Sequence, residues 1–203
     1  MTRLTIYGDA ISGNCLKVKW TADALGLDYD WVETSVLDRK TRTPEFLERN
    51  PAGQVPVVTL ADGRSLAQSN AIILYLNDVH GGAFVPEDAY ARAKVLEWLF
   101  WEQYSHEPAI AVRRFQKFFQ KKSDDAIDPL LMKKGVAALE RLEDALSVSL
   151  FLVGDSVTLA DIALIAYTRE APSGGFDLEA YPRIKAWIAR VEKTLDIPPV
   201  ECA

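Results

Sequence analysis

Asn50-Pro51-Ala52-Gly53-Gln54-Val55-Pro56-Val57-Val58-Thr59-Leu60-Ala61-Asp62-Gly63-Arg64-Ser65-Leu66-Ala67-Gln68-Ser69 is the stretch that decides the fold. Its middle reads as a β-hairpin. Two β-prone runs, residues 57–60 and 64–66, flank Ala61-Asp62-Gly63, and Asp-Gly is a strong signal for a tight turn. Pro56 stands just ahead of the first run and has no N–H to give a strand ladder. Taken on its residues alone, the Val55-Pro56 bond has two readings. One is an ordinary trans proline at a sheet edge. The other is the cis form, found in about 5–6% of X-Pro bonds, which turns the Val55 N–H and C=O outward, towards a peptide ligand. Ser69 then caps a helix carrying Ile72, Ile73, Tyr75 and Leu76.

Upstream of this stretch, strand and helix signals alternate. Leu4-Thr5-Ile6-Tyr7 is β-prone and stops at Gly8-Asp9. An amphipathic segment follows, with Val18, Ala22 and Leu25 on one face and Gly26 as its stop. Residues 29–36 read as a second strand. Thr43-Pro44 reads as a helix cap with proline at the first helical position. The predicted order is β-α-β-α-β-β-α. Downstream, His80-Gly81-Gly82 breaks the pattern and Pro86 closes the break. The rest reads as all-helical. Leu96, Leu99, Phe100 and Gln103 follow helical spacing, and Pro108 is expected to kink or end their helix. Phe115, Phe118 and Phe119 belong to the next helix. Leu131, Ala138, Leu142 and Leu146 form another apolar stripe. Thr158-Leu159-Ala160-Asp161 has the form of a capping box, and Tyr181-Pro182 opens a last helix with Ile184, Ile188, Val191 and Leu195.

Composition narrows the function classes. A chain of 203 residues with 49% apolar residues is ample for a buried core in one or two domains. The net charge of -6 argues against a nucleic-acid surface, which needs clustered Lys and Arg; Lys121-Lys122 is too short a run. No secretory signal pattern opens the chain, and no apolar run is long enough for a bilayer, so neither export nor a membrane partner is expected. Two cysteines, Cys15 and Cys202, allow at most one disulfide and no metal cage. A reduced cytosol is the expected compartment.

Three sites bear on chemistry, and each has a plainer alternative. Ser12-Gly13-Asn14-Cys15 joins the first strand to the first helix. A helix N-terminus favours an anion, and a thiolate is one. A serine hydroxyl there donates to sulfur, lowering a thiol pKa from about 8.5 towards neutrality. The plainer role of Ser12 or Asn14 is a helix cap. Cys15 is the competing nucleophile in a pattern like C-x-x-C whose first cysteine is Ser12; its plainer role is a packed helix residue. Gln68-Ser69 marks a second helix N-terminus able to hold a carboxylate through the Ser69 hydroxyl and backbone N–H groups, or a simple cap.

Taken in order, the first strand, the Ser12 loop, Asn50-Pro51 with Gly53-Gln54-Val55-Pro56, and Leu66-Ala67-Gln68-Ser69-Asn70-Ala71-Ile72 resemble the thioredoxin-like domain of glutathione transferases. Thr158-Leu159-Ala160-Asp161-Ile162 resembles the capping motif of that family's helical domain. The resemblance spans essentially the whole chain and points to serine-type, bacterial-looking members. It implies a thioredoxin-like α/β domain over residues 1–78, a linker over 79–86, and an all-α helical bundle over 87–203. By position, Ser12 matches the serine that activates glutathione, with Asn14 beside it. Val55 matches the residue whose backbone pairs with the cysteinyl moiety, and Pro56 the cis-proline. Gln54 matches a polar residue near the glycyl carboxylate; Gln68 and Ser69 match the pair that holds the γ-glutamyl end. Many members have Glu where Gln68 stands, so charge assistance to the ligand's ammonium is lost here. Tyr7 lies near the place where tyrosine-type classes keep their hydroxyl, and ranks below Ser12.

The resemblance also implies a cytoplasmic homodimer engaged in detoxification. Glutathione is then the co-substrate, no metal is used, and the second substrate is a small apolar electrophile or a hydroperoxide. That substrate is expected between the domains, near Tyr104, His106 and Arg113. Two other functions suit the same scaffold: thiol-disulfide exchange through Cys15, and a non-catalytic glutathione-binding module.

Overall fold

The computed structural model describes residues 4–200; Cys202 lies outside them. Four strands, β1 (Leu4–Gly8), β2 (Tyr29–Glu33), β3 (Val57–Thr59) and β4 (Ser65–Ala67), form one sheet in the order β2-β1-β3-β4. β1 runs parallel to β2 and antiparallel to β3, and β3 is antiparallel to β4. Ile6 and Val58 pair across the two central strands, and both are fully buried. Such a pair is the unit of sheet stability. β2 ends at Glu33, short of the expected Val36, because Thr34 turns back to bond the Gly8 carbonyl and Val36 is held by a loop side chain. Gly8 ends β1 where a Cβ would lie 2.4 Å from the Trp31 ring, so any side chain has to displace that indole.

Three helices complete this unit: α1 (Gly13–Ala24), α2 (Pro44–Arg49) and α3 (Ser69–Val79). α1 and α3 pack against each other. The Thr43 hydroxyl accepts from the Phe46 N–H and Pro44 begins α2, as the local chemistry predicts. The order is thus β-α-β-α-β-β-α, a thioredoxin-like arrangement. The division into two compact units falls between Ala83 and Phe84, inside the stretch 79–86.

The second unit is helical throughout. α4 (Ala89–Trp101) passes through a widened π-helical turn (Glu102–His106) into α5 (Glu107–Arg114) and a second such turn (Phe115–Phe119). Pro108 therefore does not end the helix. It brings no N–H to the ladder, and the Glu107 N–H reaches back to the Glu102 carbonyl, a wider spacing that carries the chain past it. The buried face of α4 also differs in phase from the expected stripe. Val95, Trp98 and Leu99 are inside, whereas Phe100 is 74% exposed. α6 (Pro129–Ala145) buries Gly135, Ala138, Leu139 and Leu142. α7 (Leu159–Thr168) is buried at every residue and is packed by α4, α5 and α8 (Pro182–Leu195). It is the centre of this unit's core. Among the described residues no helix is long and apolar enough to cross a membrane.

Candidate functional site

Register gathers three of the sequence signals at one end of the sheet. Val57 pairs with Tyr7 on one side and Ala67 on the other. The carboxyl ends of β1 and β4 and the amino end of β3 therefore coincide. The Ser12 loop leaves from the first, the Gln68-Ser69 turn from the second, and Gln54-Val55-Pro56 enters the third.

The β1–α1 loop is built by two carboxylates that the sequence did not single out. Asp9 is buried and accepts the Ile11 N–H at 3.1 Å and the Val36 N–H at 2.7 Å, while its carbonyl takes the Ser12 N–H at 3.0 Å. Glu33, on β2, accepts the Ala10 N–H at 3.2 Å and the Trp31 indole N–H at 2.8 Å. Ser12 is consequently held at the N-cap of α1, half-buried, with extended backbone. Its hydroxyl makes no cap bond. The first turn of α1 also holds no acidic side chain, so the positive end of its dipole is not neutralised from within that turn.

Cys15 is fully buried beneath this loop. Burial pushes its thiol up to about 11, against opposing hydrogen bonds from the Asp9 backbone and the Ser12 side chain. A thiol so placed stays protonated at neutral pH and is a poor nucleophile. It fills the role of a packed helix residue.

Asn50 shapes the next loop. Its amide nitrogen donates to the Gln54 carbonyl at 2.7 Å, its Oδ1 accepts the Ala52 N–H at 3.2 Å, and its carbonyl takes the Gly53 N–H at 2.9 Å. Gly53 has φ +61°, a left-handed conformation that glycine adopts without strain. The Val55-Pro56 peptide bond is cis. Gln54 is exposed and Val55 half-buried.

The β4–α3 turn differs from expectation by one residue. Gln68 is the N-cap of α3, with φ 73°, and Ser69 is the first helical residue. A positive φ at a non-glycine residue is uncommon and is found preferentially where function holds the backbone. Ser69 does not cap the helix. Its hydroxyl donates to Asn14 Oδ1 at 3.0 Å, joining the first turn of α3 to that of α1. The same oxygen accepts from Lys17 Nζ at 2.7 Å, and Lys17 has no exposed surface. Neither the contact across 55 residues nor the buried lysine was legible as a local pattern. Tyr7, by contrast, turns its ring towards α2. It stacks edge-on to Phe46 at 6.4 Å, with the Arg49 guanidinium 4.8 Å from its centroid.

The residues expected at the second substrate sit in the helical unit and are not gathered together. Tyr104 is 87% exposed. His106 is fully buried, its Nε2 2.9 Å from the Thr168 hydroxyl. Arg113 is buried and paired with Asp124, which also binds Lys117 at 2.7 Å. Among the described residues no group of three or more His, Cys, Asp or Glu is placed to hold a metal.

Comparison with known proteins gives a consistent result. Residues 11–79 match the glutathione S-transferase N-terminal domain, and residues 100–194 the glutathione S-transferase C-terminal domain. The chain is 45% identical to a glutathione S-transferase of known structure from Pseudomonas fluorescens Pf-5, over 93% of this chain and 94% of that one, with a TM-score of 0.89. It is 42% identical to another from Xanthobacter autotrophicus Py2, over 98% and 95%, with a TM-score of 0.88.

Proposed function

Because this chain belongs to the glutathione S-transferase family through both of its domains, we propose that it binds glutathione at the sheet end described above and activates its thiol with Ser12. The observation that carries the reading is the Ser69–Asn14 hydrogen bond, which sets two helix N-termini side by side. One then faces the γ-glutamyl carboxylate and the other the sulfur. The Ser12 hydroxyl, not spent on the cap, donates to the thiolate as the thiol proton leaves to solvent. The sulfur attacks an electrophilic carbon, forming a C–S bond as the leaving group departs or the acceptor bond opens. With a hydroperoxide, two glutathione molecules are oxidised to the disulfide and the peroxide is reduced to alcohol and water. Val55 pairs its backbone with the cysteinyl residue, Gln54 lies by the glycyl carboxylate, and Gln68 accepts from the ligand's ammonium.

Tyr104, exposed on the helical unit, is the residue we assign to the electrophile, rather than the buried His106 and Arg113. The cytoplasmic location, homodimer and detoxifying role belong to the same proposal and rest on family membership.

Ser12→Ala tests the central assignment. Conjugation of glutathione to an activated aryl halide should fall about 10²- to 10³-fold in kcat, with glutathione affinity by calorimetry nearly unchanged. Undiminished turnover removes Ser12 from the thiol. The exchange reaction through Cys15 is disfavoured by its burial and raised pKa; loss of activity in Cys15→Ala, with a trapped mixed disulfide, would restore it. Glutathione binding without turnover on any electrophile or peroxide marks a binding module instead.

A further inference from the structure

Asp9 follows β1 and is 3% exposed, so its carboxylate is a charge withdrawn from water. Both of its oxygens are used, and by different loops. Oδ1 accepts the Ile11 N–H at 3.1 Å, in the loop that leads into α1, and Oδ2 accepts the Val36 N–H at 2.7 Å, in the segment that follows β2. The Asp9 carbonyl takes the Ser12 N–H at 3.0 Å, and the Thr34 N–H reaches the Gly8 carbonyl beside it at 2.7 Å. Among the described residues no Lys or Arg is paired with Asp9. Two backbone donors arriving from different loops need an acceptor for each, and a carboxylate has two oxygens that both accept. An asparagine keeps one oxygen and turns an NH2 group towards the other donor. The negative charge is therefore the means of the clasp, yet it works against the chemistry. Asp9 and Glu33 both act on the neighbouring Cys15 thiol in the direction that disfavours a thiolate. A buried charge that opposes a thiolate beside Ser12 is explained by what it holds in place.

Resting on the glutathione reading above, we propose that Asp9 is a positioning residue for Ser12. Its carboxylate clasps the β1–α1 loop to the segment after β2, and the clasp fixes the Ser12 hydroxyl at the place of the glutathione sulfur. Asp9 is buried, touches no substrate and acts on the reaction only through Ser12. A carboxylate kept for folding alone has a different signature. Its loss weakens the protein, and slows the reaction by the same factor whether or not residue 12 carries a hydroxyl.

A double-mutant cycle separates the two. Asp9→Asn, Ser12→Ala and the double variant are made in the full chain, with thermal unfolding to establish that each is folded at the assay temperature. Steady-state conjugation of glutathione to an activated aryl halide is then measured for all four proteins. Asp9→Asn should lower kcat about 10- to 100-fold, the size of effect that a small misplacement of a reacting group produces. KM for glutathione should stay within about twofold. In the Ser12→Ala background the same substitution should lower kcat no further. Equal fold losses in both backgrounds overturn the proposal, and so does an undiminished kcat in folded Asp9→Asn or a change confined to KM. If Asp9→Asn does not fold, the cycle is run with Asp9→Glu, which keeps the charge and shifts the carboxylate by one methylene. The same non-additivity is then expected, and additivity overturns the proposal. Undiminished turnover in Ser12→Ala overturns the Ser12 reading itself, whereas a slow Ser12→Ala enzyme with equal losses in both backgrounds overturns only the role of Asp9.

Discussion

The N-termini of α1 and α7 look alike in sequence and are used in opposite ways. Each starts with a hydroxyl residue and carries a polar group three residues on: Ser12 with Cys15, and Thr158 with Asp161. At α7 every group is turned inward and satisfied. Asp161 Oδ2 accepts the Thr158 N–H at 2.8 Å and its hydroxyl at 2.9 Å. Oδ1 accepts the Leu152 N–H at 2.9 Å and the Trp187 indole N–H at 2.8 Å. Asp161, Trp187 and Leu159 have no exposed surface. At α1 the cap hydroxyl makes no cap bond, the first turn itself holds no acidic residue, and the Ser69 hydroxyl of another helix reaches Asn14. A closed cap of the first kind holds a fold together. A helix start not closed by its own capping box is a place that favours an anion. The difference between structural and functional helix starts lies in where the hydrogen bonds go, not in the residue types.

The sharpest way to break this contrast is at Asp161. Asp161→Ala leaves four donors without their acceptor, two of them backbone N–H groups and one an indole, all buried. Breaking a buried charged network in this way costs about 3–5 kcal/mol. Urea unfolding should show that loss. Burial pushes the Asp161 carboxyl up, against the pull of its four bonds. That burial by itself favours a neutral group, yet Asp161→Asn should recover little, because its NH2 group opposes donors where the carboxylate had an acceptor. A loss below about 1 kcal/mol, the size of an ordinary cap, would mean that α7 does not depend on this closure.

Cys15 offers the next largest effect, and it comes with a sign. Its folded pKa, about 11, stands above the unfolded value of 9.0 because burial disfavours the thiolate. The folded state thus holds its proton more tightly. The contribution is fully present below pH 9.0 and is lost as pH rises towards 11. Two units correspond to about 3 kcal/mol. Stability of the wild-type chain should fall across that window more steeply than that of Cys15→Ala, a comparison that cancels the lysines and tyrosines titrating alongside. Equal slopes would place Cys15 nearer solvent and bring it back as a nucleophile at the α1 terminus.

What the sequence made legible follows the same division. Local chemistry was readable. Thr43-Pro44 starts α2, Asp62-Gly63 turns the hairpin, and Thr158 and Asp161 close the α7 cap, because each depends on neighbours within a few residues. The order of the three site segments was readable for the same reason. Distant partnerships were not. Lys17 looks like a solvated lysine until its bond to Asn14, which Ser69 also reaches, is seen. Trp187 appears as one aromatic in a helix until Asp161, on another element, accepts from it. Asp9 gives no hint that it will hold the backbone at Val36. The phase of α4 was misread because Phe100 is apolar yet outside, while Glu102 and His106 are polar yet inside. Hydrophobicity alone sets the stripe only where polar residues have no buried partners.

The smallest expected effect is the most discriminating. Ser12→Ala removes a hydroxyl from an N-cap, and an N-cap serine that bonds its helix is worth about 1 kcal/mol when lost to alanine. Ser12 makes no such bond, and the loop around it is fixed by Asp9 and Glu33 instead. The Ser12 hydroxyl bonds instead to the Cys15 thiol, a weak hydrogen-bonding partner, so the stability change should stay within about 0.5 kcal/mol. Thr158→Ala is the matched control, since its hydroxyl is engaged and buried; it should cost about 1–2 kcal/mol. Denaturant titration of both variants beside the wild type decides the matter. If Ser12→Ala costs as much as Thr158→Ala, the Ser12 hydroxyl is a cap in solution and the two helix starts are the same device. If it costs almost nothing while conjugation collapses, the hydroxyl serves a bound sulfur and contributes nothing to the fold.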